Sequence, residues 1–367
     1  MEAIFESVPN FSEGRRPEVI DAIAQAGRSA HLLDCDPDPD HHRVVVSLAG
    51  NRPRLFARVM AAIGAAVERI DVRAHTGVHP RVGAADVVPI VPLGGTTLEA
   101  CRDLAHEIGE RVWAELHVPV YFYGRGEGRS LADIRAGRAR PDLGGPTLHP
   151  TAGAVCLGAR VTLVAFNVLL PDADLVTARA LARSLRESAG GVRGVQALVF
   201  QLPGGRLQLS MNLFRVDETK PSDVVAELER LGVSLGEQQL VGLCPAVAAN
   251  EVAAGRLLEG RLAAAAARAS ADRCAKLGDE EHVALAARLR AESAGLADLG
   301  IEQDAMLGGA ERAAALIPVL KAASALDPEL EAMLHAAAVG FRAAITEGTA
   351  ALYRARVGAL DARLDER

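Results

Sequence analysis

From Val161 to Leu243 the chain runs strand, helix, strand, strand, helix, strand, and this order restricts its fold more than any other feature. Val161-Thr-Leu-Val-Ala-Phe-Asn-Val-Leu169 is β-branched and apolar, and 172–187 has helical periodicity. Residues 195–202 and 205–213 form a hairpin pattern across Pro203-Gly-Gly205, 221–231 is a second helical run, and 239–243 reads as a closing strand. The order βαββαβ is that of a split βαβ, ferredoxin-like module.

The first half repeats a similar alternation with extra elements. Strands are predicted at 2–8, 31–36, 43–50, 85–93 and 118–124, and helices at 16–27, 53–68, 96–115 and 130–136. Ser12 is read as the N-cap of the first helix. Pro89 and Pro92 in the 85–93 run argue for an edge strand or bulged ends, because proline cannot donate to a ladder. From about residue 246 strand signals vanish, and alanine-rich amphipathic runs at 261–270, 280–298, 310–325 and 329–362 predict an all-helical tail. The fold class that follows is α+β: two α/β subdomains, 1–157 and 158–255, then an all-α segment, 256–367. A cleft between two such subdomains is where a ligand is expected.

Polar density singles out Asp71-Val-Arg-Ala-His-Thr-Gly-Val-His-Pro-Arg-Val-Gly-Ala-Ala-Asp86, which packs two histidines, two arginines, two glycines and two aspartates between core-like runs. Pro80 fixes its own φ and biases His79 towards extended backbone, so His79 is held on a stiff turn at a strand mouth. Such a histidine is either a catalytic group or a turn cap bonded to Asp71 or Asp86. Asp142-Leu-Gly-Gly-Pro-Thr-Leu-His-Pro-Thr-Ala-Gly-Ala154 is a loop too long for a mere connection, and its glycines and small hydroxyls suit a planar ligand lying on the backbone.

Other clusters carry less. Asp34, Asp36, Asp38 and Asp40 with His41 and His42 match no defined metal loop and read as a solvated acidic turn, or as a turn with one member facing substrate; no metal site is assigned. Gly124-Arg-Gly-Glu-Gly-Arg129 lacks the Gly-Lys-Ser/Thr ending of a phosphate loop. The net charge of −7, with no Lys/Arg block, argues against a nucleic-acid partner. Five cysteines without CxxC spacing read as reduced thiols. The start has no apolar leader pattern and no run approaches the ~20 apolar residues of a membrane span, so a soluble, cytoplasmic protein is expected.

Taken in order, Val8-Pro-Asn-Phe-Ser-Glu-Gly14, Gly77-Val-His-Pro-Arg-Val-Gly83 with Asp86, Val118-Pro-Val-Tyr121, Ile134-Arg-Ala-Gly137, Gly158-Ala-Arg160, Ala165-Phe-Asn167 and Leu240-Val-Gly-Leu243 resemble the motifs of the formiminotransferase family. These are folate-dependent glutamate formimidoyltransferases of histidine breakdown, and the collinear matches cover roughly the first 250 residues. The resemblance implies two ferredoxin-like subdomains, tetrahydrofolate as co-substrate in a tunnel between them, and a homodimer. It implies His79 as catalytic acid/base with Asp36 beside it, and Asn10, Arg43 and Arg81 as substrate-binding residues. Arg81 has a second reading, a local ion pair with Asp86. The folate-binding segment it implies is Gly144, Gly145, Pro146, Thr147, Leu148, His149, Pro150, Thr151, Ala152 and Gly153, with Ala152 standing where relatives can carry an aromatic.

The family's bifunctional members continue into a cyclodeaminase domain that opens on a Pro-Gly-Gly-Gly-Ser-type loop. This tail offers only Leu307-Gly-Gly-Ala310, so cyclodeaminase activity is not assigned. The expected reaction moves a formimino carbon between N-formimino-L-glutamate and tetrahydrofolate. Two alternatives stand beside it: another folate one-carbon donor such as 5-formyltetrahydrofolate at the same site, and a non-catalytic folate-binding protein whose helical tail holds a partner.

Overall fold

The computed structural model describes residues 1–27, 29–124, 127 and 129–366. Arg125, Gly126 and Gly128 of the glycine-rich turn lie outside the described residues. The chain divides into two compact units, one of residues 3–162 with 200–208, the other of Met1–Glu2, Leu163–Val199 and the chain from Leu209 onward.

The first unit is built on a seven-stranded sheet. Its strands are β1 (Ile4–Ser7), β2 (Asn10–Phe11), β3 (His31–Asp38), β4 (Arg43–Asn51), β5 (Ala85–Leu93), β6 (Val120–Gly124) and β7 (Val155–Ala159), in the order β1-β4-β2-β5-β7-β6, with β3 on β4 and β1 also on β5. Helices α1 (Pro17–Gln25), α2 (Arg52–Arg69), α3 (Leu98–Leu116) and the short α4 (Leu131–Arg135) connect them. If β1 and β2 are counted as one interrupted strand, the leading elements are again βαββαβ. The parallel pairs β5–β7 and β7–β6 then widen the sheet.

Strand alternation sorts β4 into two faces. Val44, Val46 and Leu48 join Phe5, Phe11 and Ile90 in a core closed by Leu55, Val59, Ile63, Leu104 and Ile108 of α2 and α3. Each such side chain contributes about 1.5–3 kcal/mol of burial. The opposite face receives Arg43, Val45 and Ser47, and further along the sheet a smaller core of Val87, Tyr121, Tyr123, Ile134 and Cys156. Sheet chemistry thus places a buried arginine on the face away from α2 and α3.

Two expectations are corrected here and one strand is added. The run 85–93 is an interior strand, not an edge, although its first end does carry a register shift against β2, between Asn10↔Val87 and Phe11↔Ala85; its prolines fall where no donor is needed. The Pro89 carbonyl accepts from Val8 N and Ser7 Oγ. Its missing N–H therefore faces the break between β1 and β2, while Pro92 lies beyond the end of the β7 ladder, which stops at Ile90↔Ala159. Val155–Ala159, assigned to no element from the sequence, is a fully buried parallel strand between β5 and β6. Ser12 does not cap α1, which begins at Pro17 without a side-chain cap; in the turn before it the buried Glu13 carboxylate accepts from the backbone N–H groups of Gly14, Arg15 and Arg16.

In the second unit β8 (Val164–Leu169), α5 (Leu175–Leu185), β9 (Val195–Gln201), β10 (Leu207–Leu213), α6 (Pro221–Arg230) and β11 (Gln238–Val241) form a four-stranded sheet ordered β11-β8-β10-β9. Helices α7 (Leu258–Leu277), α8 (Glu280–Ala297), α9 (Gln303–Ala322), α10 (Pro328–Ala343), α11 (Glu347–Leu352) and α12 (Arg354–Asp365) follow, so the C-terminal region is all-helical. In α7, Ala263 to Ala267 are all buried, small side chains that let α8 and α10 approach closely. The helix-favouring run 329–362 is divided into three helices. Gln303 stabilises the first break by donating to Ala344 O and accepting from Thr346 N, and the Thr346 side chain caps α11. Among the described residues no helix is long and apolar enough to cross a membrane.

Candidate active site

The 71–86 stretch is a loop pinned at several points. Asp71 caps a single 3-10 turn through Arg73 N, Val72 N donates to Thr151 O, Ala84 N to Ala152 O, and Ala154 N to Val82 O. The two segments that the sequence assigned to chemistry and to folate binding are therefore zipped to each other, with His149 and Gly153 closing a tight turn through reciprocal backbone bonds. Gly83 and Gly153 are required at the seam. A Cβ on Gly83 would lie 1.9 Å from Ala154 O, and Gly153 has φ +70° with Val82 O 2.3 Å from where its Cβ would be. Ser12 Oγ donates to Gly83 O at 2.8 Å and fixes the loop to β2.

Within this frame His79 meets Arg43. Arg43, at the first position of β4, is 7% exposed, and its Nη1 lies 2.5 Å from His79 Nδ1 and 3.3 Å from Pro80 O. Its Nη2 donates to Asn10 Oδ1 at 3.1 Å and pairs with Asp86 Oδ2 at 3.0 Å. Asp86 is fully buried and also accepts from Arg135 Nη2 at 3.0 Å and from Val82 N at 2.5 Å. Asn10, Arg43, His79, Asp86 and Arg135 thus form one network on one face of the sheet.

Two contacts compete for His79 Nδ1, since Pro80 O lies 2.7 Å away as well. A guanidinium can only donate, so with Arg43 in place Nδ1 must be the bare nitrogen and the proton resides on Nε2. Burial, followed by the positive charges of Arg43 and Arg135, pushes the imidazole down to about 2, so it is neutral across the physiological range. Around it lie His41, with ring centroids 5.9 Å apart, and Phe200 at 5.2 Å. His41 is edge-on to Phe200 and bonds Gln208 Oε1 through Nε2 at 2.6 Å.

The other residues picked from the sequence fall in three places. Arg81 Nη2 donates to the carbonyls of Gly77 and His79 at 2.6 and 2.9 Å and bridges the turn from within. It is not ion-paired to Asp86, whose oxygens are occupied by Arg43, Arg135 and Val82 N. Asp36 lies on β3 opposite Val45, in the strand beside Arg43. In the loop, Gly144 and Gly145 have φ +74° and +82°, Pro146 to Leu148 and Pro150 are exposed, and Ala152 and Gly153 are buried at the seam. The alternative of His79 as a cap on Asp71 or Asp86 is not what forms: Asp71 pairs with Arg73.

His75 stacks on His42, centroids 4.1 Å apart. Gly77 N donates to His75 Nδ1 and Gly14 N to His42 Nδ1, each at 3.0 Å, while His75 Nε2 donates to His42 O. Burial draws His75 down to about 4, and His42 is lowered for the same reason. Sequence reasoning placed His41 in a solvated acidic turn, whereas it is buried beside His79, and it missed Arg135, Phe200 and Gln208. Arg135 stands in a motif-bearing segment and was within reach, but Phe200 and Gln208 are alternating residues of a hairpin with no signal beyond strand periodicity.

The formiminotransferase domain, N-terminal subdomain, matches residues 4–160. Glutamate formimidoyltransferase of Streptococcus pyogenes serotype M1 is 34% identical over 281 residues, 69% of this chain and 93% of that protein. The enzyme of the same name from Thermoplasma acidophilum is 37% identical over 277 residues, 68% of this chain and 91% of that protein. Formimidoyltransferase-cyclodeaminase of Rattus norvegicus is 36% identical over 284 residues, 69% of this chain but only 52% of that longer protein. With a site of this kind and identity spanning nearly the whole of two such relatives, the chain belongs to the formiminotransferase family and is a transferase.

Proposed function

We propose that the chain transfers the formimino group between N-formimino-L-glutamate and tetrahydrofolate. The observation that carries this reading is the His79 network: a neutral imidazole held at a loop seam among Arg43, Arg81 and Arg135, against one buried carboxylate, Asp86. Three cations facing one anion favour an anionic substrate, and glutamate and folate both bring carboxylates.

In the reaction N5 of tetrahydrofolate attacks the formimino carbon, a C–N bond forms, and the resulting tetrahedral intermediate expels the glutamate nitrogen. One proton leaves N5 and one arrives on glutamate. His79 is the group we assign to both transfers, an acid/base role worth about 10²–10⁴-fold. Gly144 to Gly153 is assigned to folate, its exposed half to the ligand and its buried half to the seam with the His79 loop. Asn10 and Arg43 orient the histidine, Arg81 stiffens its turn, and Asp36 stands as the further carboxylate on the adjoining strand. In this reading residues 1–157 and 158–255 are the two catalytic subdomains, 256–367 is an appended bundle, and the working form is a cytosolic homodimer.

The test is turnover by the full chain with formiminoglutamate and tetrahydrofolate, run beside 5-formyltetrahydrofolate as the competing donor. His79→Ala is expected to lower kcat by at least ~10²-fold at unchanged folding. Near wild-type transfer by that variant would remove His79 from the mechanism, and folate binding without turnover of either donor would refute the enzyme reading.

A further inference from the structure

A single imidazole that shuttles a proton between two substrate nitrogens must present a bare nitrogen to the first of them. In this structure the nitrogen kept bare is the wrong one. Arg43 donates into His79 Nδ1, which leaves the proton on Nε2 and the imidazole able to donate a hydrogen bond but unable to take a proton outward. The second contact at Nδ1 supplies the other state. Pro80 O is 2.7 Å from Nδ1, and if Arg43 Nη1 withdraws, an Nδ1–H can donate to that carbonyl while Nε2 becomes the lone pair.

Withdrawal of Nη1 does not require Arg43 to leave its site. Nη2 is held separately, by Asn10 Oδ1 and Asp86 Oδ2, so the guanidinium can turn at one end while its ion pair is kept. Asp86 in turn is anchored by Val82 N and Arg135. A carboxylate is the group best suited to draw Nη1 away, since it brings a full negative charge and two acceptor oxygens to the guanidinium where the imidazole brings one neutral lone pair.

We propose that Arg43 is a clamp on the tautomer of His79, closed in the free protein and opened by the carboxylate of the amino-acid substrate. On opening, Nε2–H gives its proton to water and Nδ1 takes one from water, so no net proton is gained. The imidazole then carries Nδ1–H towards Pro80 O and a bare Nε2 outward. Arg43 is a positioning residue in this scheme, and a substrate without a carboxylate fails to switch the base on. The free-state clamp stands on geometry alone; its opening by substrate rests on the formimino-transfer reading.

The experiment is a long-range ¹H–¹⁵N histidine spectrum of the ¹⁵N-labelled full chain at pH 7.5, with His79 assigned by difference from His79→Gln. In the free protein His79 is expected with Nε2 protonated and Nδ1 bare. Saturating N-formyl-L-glutamate, a non-transferring analogue, is expected to exchange the two, whereas N-propylformamide, which lacks carboxylates, leaves them as they were. In Arg43→Gln the exchanged form is expected without ligand; should that variant not fold, the wild-type spectra decide alone. Protonated Nδ1 in the free protein, an unchanged tautomer with N-formyl-L-glutamate bound, no binding of it, or a switch caused by N-propylformamide would each overturn the proposal. Absence of turnover with formiminoglutamate would sink the functional reading but leave the free-state spectrum as a test of the clamp, and turnover with a failed spectrum would do the reverse.

Discussion

Asp86→Asn is the substitution from which the structure predicts most. Asp86 has no exposure and is the carboxylate paired with both Arg43 and Arg135, each at 3.0 Å, while its other oxygen takes Val82 N. Asparagine preserves the volume and one acceptor but turns the second into an NH₂ donor facing N–H groups. Two guanidiniums are then left beside each other on the sheet face without a counter-charge. Breaking a buried pair by removing one partner costs about 3–5 kcal/mol. The unfolding of the first unit can be followed at Trp113, the single tryptophan of the chain, which lies on α3. With a urea dependence of ~2–3 kcal/mol per molar, the midpoint should fall by about 1–2.5 M. Removing one of the stranded cations should recover part of the loss, so Asp86→Asn/Arg135→Gln is expected to be more stable than the sum of its single changes by ~1–3 kcal/mol. A midpoint shift below ~0.3 M, or strict additivity of the two substitutions, would refute the view that Asp86 holds the site together by charge.

Glu6 is 4% exposed on β1, and burial raises its carboxyl to about 7 despite the charge of Arg160. Its folded value lies above its unfolded one, so it contributes stability at pH 4 that is lost as pH rises to about 7. Glu6→Gln should therefore stabilise the protein at pH 8 by ~1–3 kcal/mol and change little at pH 4, and equal effects at both pH values would contradict this. His75 has the opposite sign. Its folded value of about 4 lies below the ordinary 6.5, so stability is present above pH 6.5 and drains as pH falls towards 4. Urea midpoints at pH 7 and 4.5 should differ less in His75→Gln than in the wild type. Gly83→Ala should cost ~3 kcal/mol or more, because its Cβ meets a backbone carbonyl that cannot move without opening the Gly83–Gly153 seam. Hydrogen exchange at the Val72 and Ala84 amides, which bond across that seam, should accelerate in this variant, and unchanged rates would remove the seam from the account.

Much of this molecule was legible from local pattern. Both βαββαβ runs, the hairpin across Pro203 to Gly205 and the helical tail follow from periods of 2 and 3.6 that neighbouring residues impose on one another. The polar density of 71–86 pointed to His79, and Pro80 next to it announced a stiff turn. These are properties of contiguous residues, and a sequence displays them directly.

What failed was whatever depended on a partner far along the chain. Pro89 looked like an edge residue because the sequence cannot show that its missing N–H faces a gap between β1 and β2. Ser12 does not cap α1, since the helix begins at Pro17 and not where the first hydroxyl stands, and Glu13 holds only the turn before it. Arg43 and Asp86 were both marked in the sequence, but as a substrate ligand and as a partner of Arg81. Only the sheet, which sets the first residue of β4 beside the seam of two loops, makes them a pair and puts one guanidinium nitrogen against His79. Sequence therefore determined which side chain would stand on the stiff turn at the seam. Tertiary structure decided which of its two nitrogens is free, because that depends on a contact between residues 36 positions apart whose geometry no local pattern encodes.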